Sequence, residues 1–246
     1  MSLSERIAQT AESKEKILLT GNEELDRRIG GFPLPTLALI EGENSSGKSV
    51  IVQQITYGAL KHNFKVDYVT TENTIISLIR QMKSLFSEEI EDKFLSGELK
   101  VIVLHVKDLK WDEKISRYFL KVLENLINRS PAQIFVIDSL TYLVTHVSEN
   151  EVLNFFTKCR NIVDSTEKSI FLTLHSFAFP SELMMRIRSI CDCNIKLEIK
   201  EIGNMTVRLI IVTKLKGATK STGNILTFEV DPSLGIKILP FSRAKA

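Results

Sequence analysis

An octapeptide in the first quarter of the chain carries residue types that bind phosphate. Residues 42–49 read GENSSGKS and fit the phosphate-loop pattern G-x-x-x-x-G-K-[ST]. Its glycines let the backbone approach phosphate oxygens, and the N-terminus of a following helix faces the anion. We expect Lys48 to reach the β- and γ-phosphates and the Ser49 hydroxyl to hold Mg²⁺. The expected nucleotide-binding residues are Gly42, Glu43, Asn44, Ser45, Ser46, Gly47, Lys48, Ser49 and Val50.

A carboxylate at the end of an apolar segment is the second candidate for the metal site. Residues 133–138 read QIFVID and predict a buried strand that ends in Asp138. A carboxylate at that position can hold Mg²⁺ opposite Ser49. The alternative is a turn or helix cap, because Ser139 follows and either residue could cap a helix. The phosphate loop upstream favours the metal role.

Two more polar residues follow predicted strands. Glu72 comes after a strand predicted at 65–71, and His175 comes after one predicted at 169–174. The carboxyl ends of parallel strands face the ligand crevice. Glu72 could therefore activate a water molecule for attack on the γ-phosphate, or it could be a helix-start acid. His175 could sense the γ-phosphate by hydrogen bonding, or it could be a polar loop residue beside the competing candidate Ser176.

Lys214 and Lys216 are candidates of a different kind. They stand one residue apart on the same side of a late predicted strand, and Gly217 then indicates a turn. Alternating lysines usually form a solvated strand face or protect a sheet edge. Taken alone, these residues favour that interpretation over a ligand contact.

The rest of the chain alternates between short apolar runs and amphipathic stretches. The runs predict strands at 36–41, 65–71, 99–104, 133–138 and 169–174. The stretches predict helices at 49–60, 74–85, 111–127 and 151–163. Near-continuous apolar strands suit burial on both faces, so we predict an α/β fold with a mostly parallel central sheet flanked by helices. Four later runs predict antiparallel strands that extend the sheet, at 194–199, 206–214, 225–230 and 235–239.

Composition places the chain among ordinary soluble globular proteins. It has 246 residues, 43% hydrophobic and 25% charged, with a net charge of +2. So small a net charge creates no global field that demands nucleic acid. The N-terminus has no signal-peptide pattern, and no apolar run approaches the ~20 residues of a membrane span. We therefore expect a cytoplasmic location.

Domain organisation is expected to be simple. Residues 1–16 are polar and predict a frayed tail or a short helix, and residues 17–246 predict one domain. Three cysteines, Cys159, Cys191 and Cys193, do not make a disulfide framework. Without a matching second pair of ligands they also do not predict a metal site.

Several segments together resemble the KaiC branch of the RecA-type ATPases. They lie at residues 20–21, 25–26, 29–31, 37–41, 42–49, 136–140 and 212–217. Within that branch, further segments resemble the accessory ATPases of the archaeal flagellum, or archaellum. These lie at residues 43–50, 56–58, 68–72 and 94–99. The resemblance covers roughly residues 16–239 and implies a RecA-like P-loop NTPase core, assembled as a homohexameric ring with ATP between neighbours.

The resemblance also implies residue roles. Glu72 matches the catalytic glutamate, and Lys214 matches a lysine that reaches the γ-phosphate bound by the neighbouring subunit. The pair Glu72–Asn73 stands where KaiC has two successive glutamates, and Lys216 stands where arginine is often found. Lysine lacks the bidentate fork of arginine, so we expect slow hydrolysis or a nucleotide switch.

By this resemblance, the chain is expected to be an ATP-binding regulatory component of the archaellum motor complex. Nucleotide would gate its ring assembly and its binding of partners, with weak or no intrinsic ATP hydrolysis. The implied partners are the motor ATPase, the platform membrane protein and the scaffold ring protein. The chain would then be cytoplasmic and peripheral at the membrane through that complex. ATP would order the loops around Glu72, His175 and the two lysines.

Two other functions stay open. A DNA-stimulated RecA-type ATPase needs basic loops or aromatic platforms, and the segment 177–190 is more apolar than basic. That segment favours a protein partner, with Met184 and Met185 able to adapt to varied surfaces. A KaiC-like autokinase is the other alternative, because serine and threonine are plentiful near the site. The threonines concerned are Thr70, Thr71 and Thr74.

Overall fold

The chain is organised around one nine-stranded sheet. The computed structural model describes residues 16–104, 111–202, 205–218, 220, 225–232 and 235–239. The strands are β1 (Lys16–Leu18), β2 (Phe32–Leu34), β3 (Leu37–Gly42), β4 (Val66–Thr70), β5 (Leu99–Val103), β6 (Ile134–Asp138), β7 (Ser169–His175), β8 (Cys193–Ile202), β9 (Met205–Leu215), β10 (Ile225–Asp231) and β11 (Gly235–Leu239). The helices are α1 (Glu23–Ile29), α2 (Lys48–Lys61), α3 (Ile75–Leu85), α4 (Glu89–Leu95), α5 (Glu113–Arg129), α6 (Thr141–Val144), α7 (Glu149–Thr166) and α8 (Ser181–Ile190).

The sheet joins a parallel part to an antiparallel extension. Its order is β11-β10-β9-β8-β3-β7-β6-β4-β5. The strands from β8 to β5 pair in parallel, whereas β9, β10 and β11 pair antiparallel to their neighbours. Strands β1 and β2 form a separate antiparallel pair. The predicted fold class is confirmed, including the antiparallel C-terminal strands.

Burial on both faces explains the continuous apolar runs. In β3, Ala38 and Ile40 pack into one hydrophobic cluster with residues of α2 and α3. Leu37 and Leu39, which point the other way, pack into a second cluster with residues of α5, α7 and α8. Side chains of a strand alternate between faces, so a strand covered by helices on both sides needs apolar residues throughout.

The ends of the predicted elements shift by a few residues where helix caps decide them. The helix predicted at 151–163 is α7, which begins earlier because Ser148 and Glu151 form a reciprocal capping box. Asp112 accepts a hydrogen bond from the backbone N–H of Ile115, so α5 begins after the predicted start at Trp111. Helices α1, α4, α6 and α8 and strands β1 and β2 were missed. Both α1 and α4 have only seven residues, too few for a clear helical period.

Some predictions concern residues outside this description. Residues 1–15 of the predicted tail lie beyond the described ranges, and Lys16 already begins β1. A single domain over residues 17–246 stays a prediction. Cys159, Cys191 and Cys193 are free and buried. Within the described ranges, none of the helices combines the length and the apolar character that a membrane crossing requires.

Helix α2 packs very closely on the segment that leads into α1. The Asp26 carboxylate accepts hydrogen bonds from the Thr20 backbone N–H, the Thr20 hydroxyl and the Gly21 backbone N–H. Gln54 of α2 donates to the Thr20 carbonyl oxygen at 2.9 Å. A Cβ atom on Gly58 would stand 2.2 Å from the Leu19 carbonyl oxygen. Only glycine therefore fits at that point of α2.

We expect the substitution Gly58→Ala to destabilise the protein, although alanine is the better helix former. The added methyl group must displace backbone, and overpacking of this kind costs about 1–3 kcal/mol. Urea unfolding would measure the loss. Lys61→Ala, at an exposed position of the same helix, is the control and should stay within about 0.5 kcal/mol of the parent. A Gly58→Ala variant as stable as the parent would contradict the close packing.

Candidate functional site

The phosphate-binding loop lies between β3 and α2, as the sequence predicted. Gly47 caps α2 with a φ of 99°, and Ser45 has a φ of 62°. A Cβ atom on Gly42 would stand 2.5 Å from the Ser46 Oγ and 2.8 Å from the Leu197 carbonyl oxygen. The loop therefore curls tightly against β8. The N-terminus of α2 faces the space above the loop, where its dipole favours an anion.

Lys48 is a buried cation at the start of α2. Its Nζ donates to the Glu43 carbonyl oxygen at 2.7 Å, across the curled loop. Burial lowers the pKa of Lys48, while the negative charges of Glu72, Asp138 and Glu43 oppose that shift. A phosphate group would offer this ammonium a stronger partner than a carbonyl.

Asp138 ends β6 and is buried with a hydroxyl donor from each of three elements. Ser49 Oγ donates to Oδ1 at 3.2 Å, and Thr173 Oγ1 donates to the same oxygen at 2.8 Å. The Tyr68 hydroxyl donates to Oδ2 at 2.8 Å. Burial raises the pKa of the Asp138 carboxyl, and the three hydroxyl donors act against that shift. The peptide bond from Asp138 to Ser139 is cis.

The side chains of Ser49 and Asp138 suit the binding of magnesium. Among the described residues, no group of three His, Cys, Asp or Glu side chains could hold a metal ion by itself. Mg²⁺ does not need such a cage, because it is usually held by one or two carboxylates together with substrate phosphates and water. The Ser49 hydroxyl and the Asp138 carboxylate lie side by side and supply oxygen ligands. The residues present therefore fit the ion.

Glu72 lies just beyond β4, on the turn that leads to α3. Ser139 Oγ donates to Glu72 Oε1 at 3.2 Å. The backbone N–H groups of Glu72 and Asn73 donate to Thr70 Oγ1 at 3.3 and 3.1 Å and fix the turn. The carboxylate is exposed to the cavity, where a water molecule could reach it.

His175 ends β7 directly beside the loop, paired in register with Gly42. Thr141 Oγ1 accepts the backbone N–H of His175 at 2.9 Å and lies 2.9 Å from its Nδ1. Burial and the charge of Lys48 lower the pKa of His175, with Asp138 opposing. The lowered pKa favours the neutral imidazole, which carries one ring N–H.

The predicted residues of the parallel strands meet around one cavity of about 380 Å³. Its lining residues are Asn44, Ser45, Gly47, Lys48, Ser49, Val50, Glu72, Asp138, His175, Arg208 and Val230. Sequence reasoning missed one cation of that set, Arg208. Arg208 Nε donates to the Ser45 carbonyl oxygen at 3.0 Å from β9, a strand of the antiparallel extension. No local pattern distinguishes this arginine, because only strand pairing brings it to the loop.

The two predicted lysines lie elsewhere. Lys214 pairs in register with Asn194, at the end of the sheet where β3 begins, and Gly42 lies at the other end. Asn194 pairs in turn with Leu39, and three residues of strand separate Leu39 from Gly42, or about 10 Å at the usual rise. Lys214 Nζ donates to the carbonyl oxygens of Ser189 and Cys191 at 3.1 and 2.5 Å. Lys216 Nζ lies 3.7 Å from an oxygen of Asp192. The structure does not bring either lysine to the cavity of the same chain.

A buried ion pair ties the loop's own strand to α8. Glu41, the residue before Gly42, is almost fully buried, and Arg188 binds both of its carboxylate oxygens at 2.6 and 2.7 Å. The carboxylate raises the pKa of Arg188. The sequence did not predict this pairing, since the two residues lie 147 positions apart. Their pairing anchors α8 beside the phosphate-binding loop.

Fold and site together define a P-loop protein of the RecA type. The sequence profile of the KaiC ATPases matches residues 18–243. The archaeal flagellar ATP-binding protein FlaH of Sulfolobus acidocaldarius is 35% identical over 230 residues, which cover 94% of this chain and all of that protein. The FlaH protein of Methanocaldococcus jannaschii is 31% identical over 221 residues, which cover 88% of this chain and 92% of that protein.

Solved structures agree with these sequence matches. The crystal structure of the flagellar accessory protein FlaH from Methanocaldococcus jannaschii has a TM-score of 0.77 and 28% identity, and the match covers 92% of this chain and 100% of that one. A KaiC-like protein of Pyrococcus horikoshii has a TM-score of 0.73 at 23% identity, with the same coverage, and supports the fold. The chain belongs to the KaiC ATPase family and, within it, to the archaeal flagellar ATP-binding proteins named FlaH.

We expect Arg188→Met to destabilise the protein, because it leaves the Glu41 carboxylate buried without its partner. Removing one side of a fully buried pair costs about 3–5 kcal/mol, and the partial exposure of Arg188 reduces the expected loss to about 2–3 kcal/mol. Urea unfolding measures it. Arg186→Met, on the exposed face of the same helix, is the matched control. Adding Glu41→Gln to Arg188→Met should restore part of the stability. Equal losses in the two arginine variants would contradict the role of the ion pair.

Proposed function

We propose that this chain is an ATP-binding regulatory component of the archaeal flagellar motor, in which bound nucleotide gates ring assembly and partner binding. The observation that carries the proposal is the cavity above the phosphate-binding loop, lined by Lys48, Ser49, Asp138, Glu72 and His175, in a chain of the FlaH family. Cations, hydroxyl groups and carboxylates meet there in the arrangement that a nucleoside triphosphate and its metal require.

Several residues of the cavity have a stated task in this proposal. Lys48 binds the β- and γ-phosphates in place of the Glu43 carbonyl, and Ser49 and Asp138 hold Mg²⁺. When bound, the ion supplies charge neutralisation for the phosphates. Arg208 adds a second cation from β9. His175, with one neutral N–H, can donate to the γ-phosphate and so distinguish ATP from ADP.

Slow hydrolysis follows from what surrounds Glu72. A general base must hold water in line with the γ-phosphate, and positioning errors of about 1 Å reduce rates about a hundredfold. Glu72 is exposed and is held by one side-chain donor, Ser139. The next residue is Asn73, at the position where KaiC has a second glutamate. Among the residues lining the cavity, Arg208 supplies the guanidinium, and its Nε is engaged by the loop carbonyl of Ser45. These features favour a nucleotide switch over a fast ATPase.

A homohexameric ring would bring Lys214 and Lys216 to a nucleotide. Lys214 lies about 10 Å along the sheet from the loop of its own chain, and Lys216 lies two residues farther away. In a head-to-tail ring, unlike faces of neighbouring subunits meet, so these lysines would lie at the neighbour's site instead. Their present partners are carbonyl groups at the end of α8 and the Asp192 carboxylate.

We further propose the partners and the location that the family resemblance implies. These are the motor ATPase, the platform membrane protein and the scaffold ring protein, with the chain in the cytoplasm and peripheral at the membrane through them. Two exposed apolar side chains are available to a partner: Phe177, in the turn after β7 and near Glu43 and Asn44 of the loop, is 65% exposed, and Met185 of α8 is 68% exposed. Met184, which the sequence also offered to a partner, is instead buried in the core.

The test of the proposed function is ATP turnover per tightly bound nucleotide, measured with and without single-stranded DNA. Tight binding with negligible turnover in both conditions supports a nucleotide-gated assembly factor. Turnover that rises with DNA would instead support a DNA-dependent ATPase. Mass spectrometry after incubation with ATP tests autophosphorylation. Thr70 and Thr71 are buried, and their hydroxyl groups bind Asn73 and Ser139. Thr74 is exposed, but its Oγ1 caps α3 by accepting the Ser77 N–H, so we expect an unmodified mass.

We expect Lys48→Ala to weaken ATP binding by at least tenfold. A hydrogen bond to a charged group contributes about 1.5–3 kcal/mol, and the substitution removes the only ammonium at the loop among the lining residues. Competition with a fluorescent nucleotide measures the affinity. Lys61→Ala, at the far end of the same helix, should bind ATP as the parent does. Unchanged affinity in Lys48→Ala would mean that the nucleotide binds elsewhere.

We expect Lys214→Ala to reduce ATP-dependent ring formation while the monomer stays folded. Loss of its contacts with the end of α8 should cost about 1 kcal/mol of stability, which thermal unfolding will report. Light scattering with and without ATP measures assembly. Lys200→Ala, an exposed lysine of β8, serves as the charge-matched control. Assembly equal to that of the parent would contradict action on the neighbouring site.

A further inference from the structure

The Asp138 carboxylate is held from the two strands that flank β6. Tyr68 lies on β4 and donates to Oδ2, while Thr173 lies on β7 and donates to Oδ1, each at 2.8 Å. Ser49 approaches Oδ1 at 3.2 Å, the longest of the three hydrogen bonds. The two oxygens are therefore not equivalent: Oδ2 is occupied by a buried phenol, and Oδ1 faces Ser49 and the cavity.

Tyr68 is itself firmly placed. Its ring is fully buried in the hydrophobic core, where a phenol hydroxyl needs a hydrogen-bond partner. Gln53 of α2 lies near that hydroxyl and donates its Nε2 to Gln81 of α3 at 3.2 Å. Gln53 stands one helical turn after Ser49, so both side chains lie on the same face of α2. That face thus contacts Asp138 through Ser49 and places Gln53 near Tyr68.

We infer that Tyr68 and Thr173 are positioning residues for the metal ion: they hold the Asp138 carboxylate so that Oδ1 points at Mg²⁺ bound by Ser49. The inference rests on the ATP and Mg²⁺ site proposed above and assigns the residues that orient its carboxylate. Without the phenol hydroxyl, Oδ2 is buried without this donor, and the carboxylate can rotate away from the ion. Residues that orient a metal ligand typically change metal affinity by about 10–100-fold when they are replaced.

Tyr68→Phe tests this inference, since it removes one oxygen atom and keeps the ring. The experiment measures the dissociation constant of ATP in saturating MgCl₂ and again in EDTA, for the full chain. The ratio of the two constants is the gain in affinity that Mg²⁺ provides. We expect Tyr68→Phe to reduce this gain about tenfold and to leave the affinity in EDTA unchanged. Thr173→Val, which removes the donor to Oδ1, should act in the same direction.

Tyr57→Phe is the matched control. Tyr57 lies on α2, half-buried, with its ring stacked on Phe86 at a centroid distance of 5.3 Å, and it should keep the full Mg²⁺ gain. An unchanged gain in both Tyr68→Phe and Thr173→Val would overturn the inference. So would equal weakening in MgCl₂ and in EDTA, which marks a general structural role. Failure of the parent chain to bind ATP would instead refute the proposed function, and binding without any Mg²⁺ gain would refute the metal site.

Discussion

The rest of the site depends on one constraint: opposite charges are buried together at the carboxyl ends of the parallel strands. Lys48 and Asp138 are both buried, and a buried charge is tolerated only with hydrogen-bond partners and opposing charge. The partners of Asp138 come from β4, β7 and α2. Those elements must therefore stay aligned closely enough for all three hydrogen bonds to form. The order of the parallel strands brings Ser49 and Asp138 together, although they lie 89 residues apart.

Helix α8 is bonded to both ends of the sheet: the end near the phosphate-binding loop and the end near Lys214. The proposed ring would use both ends. Arg188 ties it to Glu41, the residue that leads into the phosphate-binding loop. Lys214 binds the carbonyl groups at its C-terminal end, where a cation also complements the helix dipole. Replacing these carbonyl contacts with a neighbour's phosphate would release the end of α8. The lysine proposed to sense the neighbouring nucleotide thus also holds the helix that carries the exposed Met185.

A switch of this kind has defined energetic limits. ATP can shift the chain between two states only by the difference in its affinity for them. The contacts that would differ are weak individually: the Lys48 bond to a loop carbonyl, the Ser49 bond to Asp138 at 3.2 Å and the Ser139 bond to Glu72 at 3.2 Å. Each can be exchanged for a stronger interaction with phosphate or metal. This arrangement favours tight nucleotide binding and does not need rapid hydrolysis.

The sequence by itself determined the features that short-range chemistry encodes. The phosphate-binding loop, the apolar strand ending in Asp138 and the continuous runs of a doubly covered sheet are local patterns, readable within ten residues. The tertiary structure alone decided Arg208 beside Ser45, Arg188 on Glu41 and Tyr68 on Asp138, pairs that are 163, 147 and 70 positions apart. Such contacts depend on strand order and register, which periodicity does not specify. For the same reason Lys214, chosen by resemblance, proved to lie at the opposite end of the sheet from its own chain's cavity.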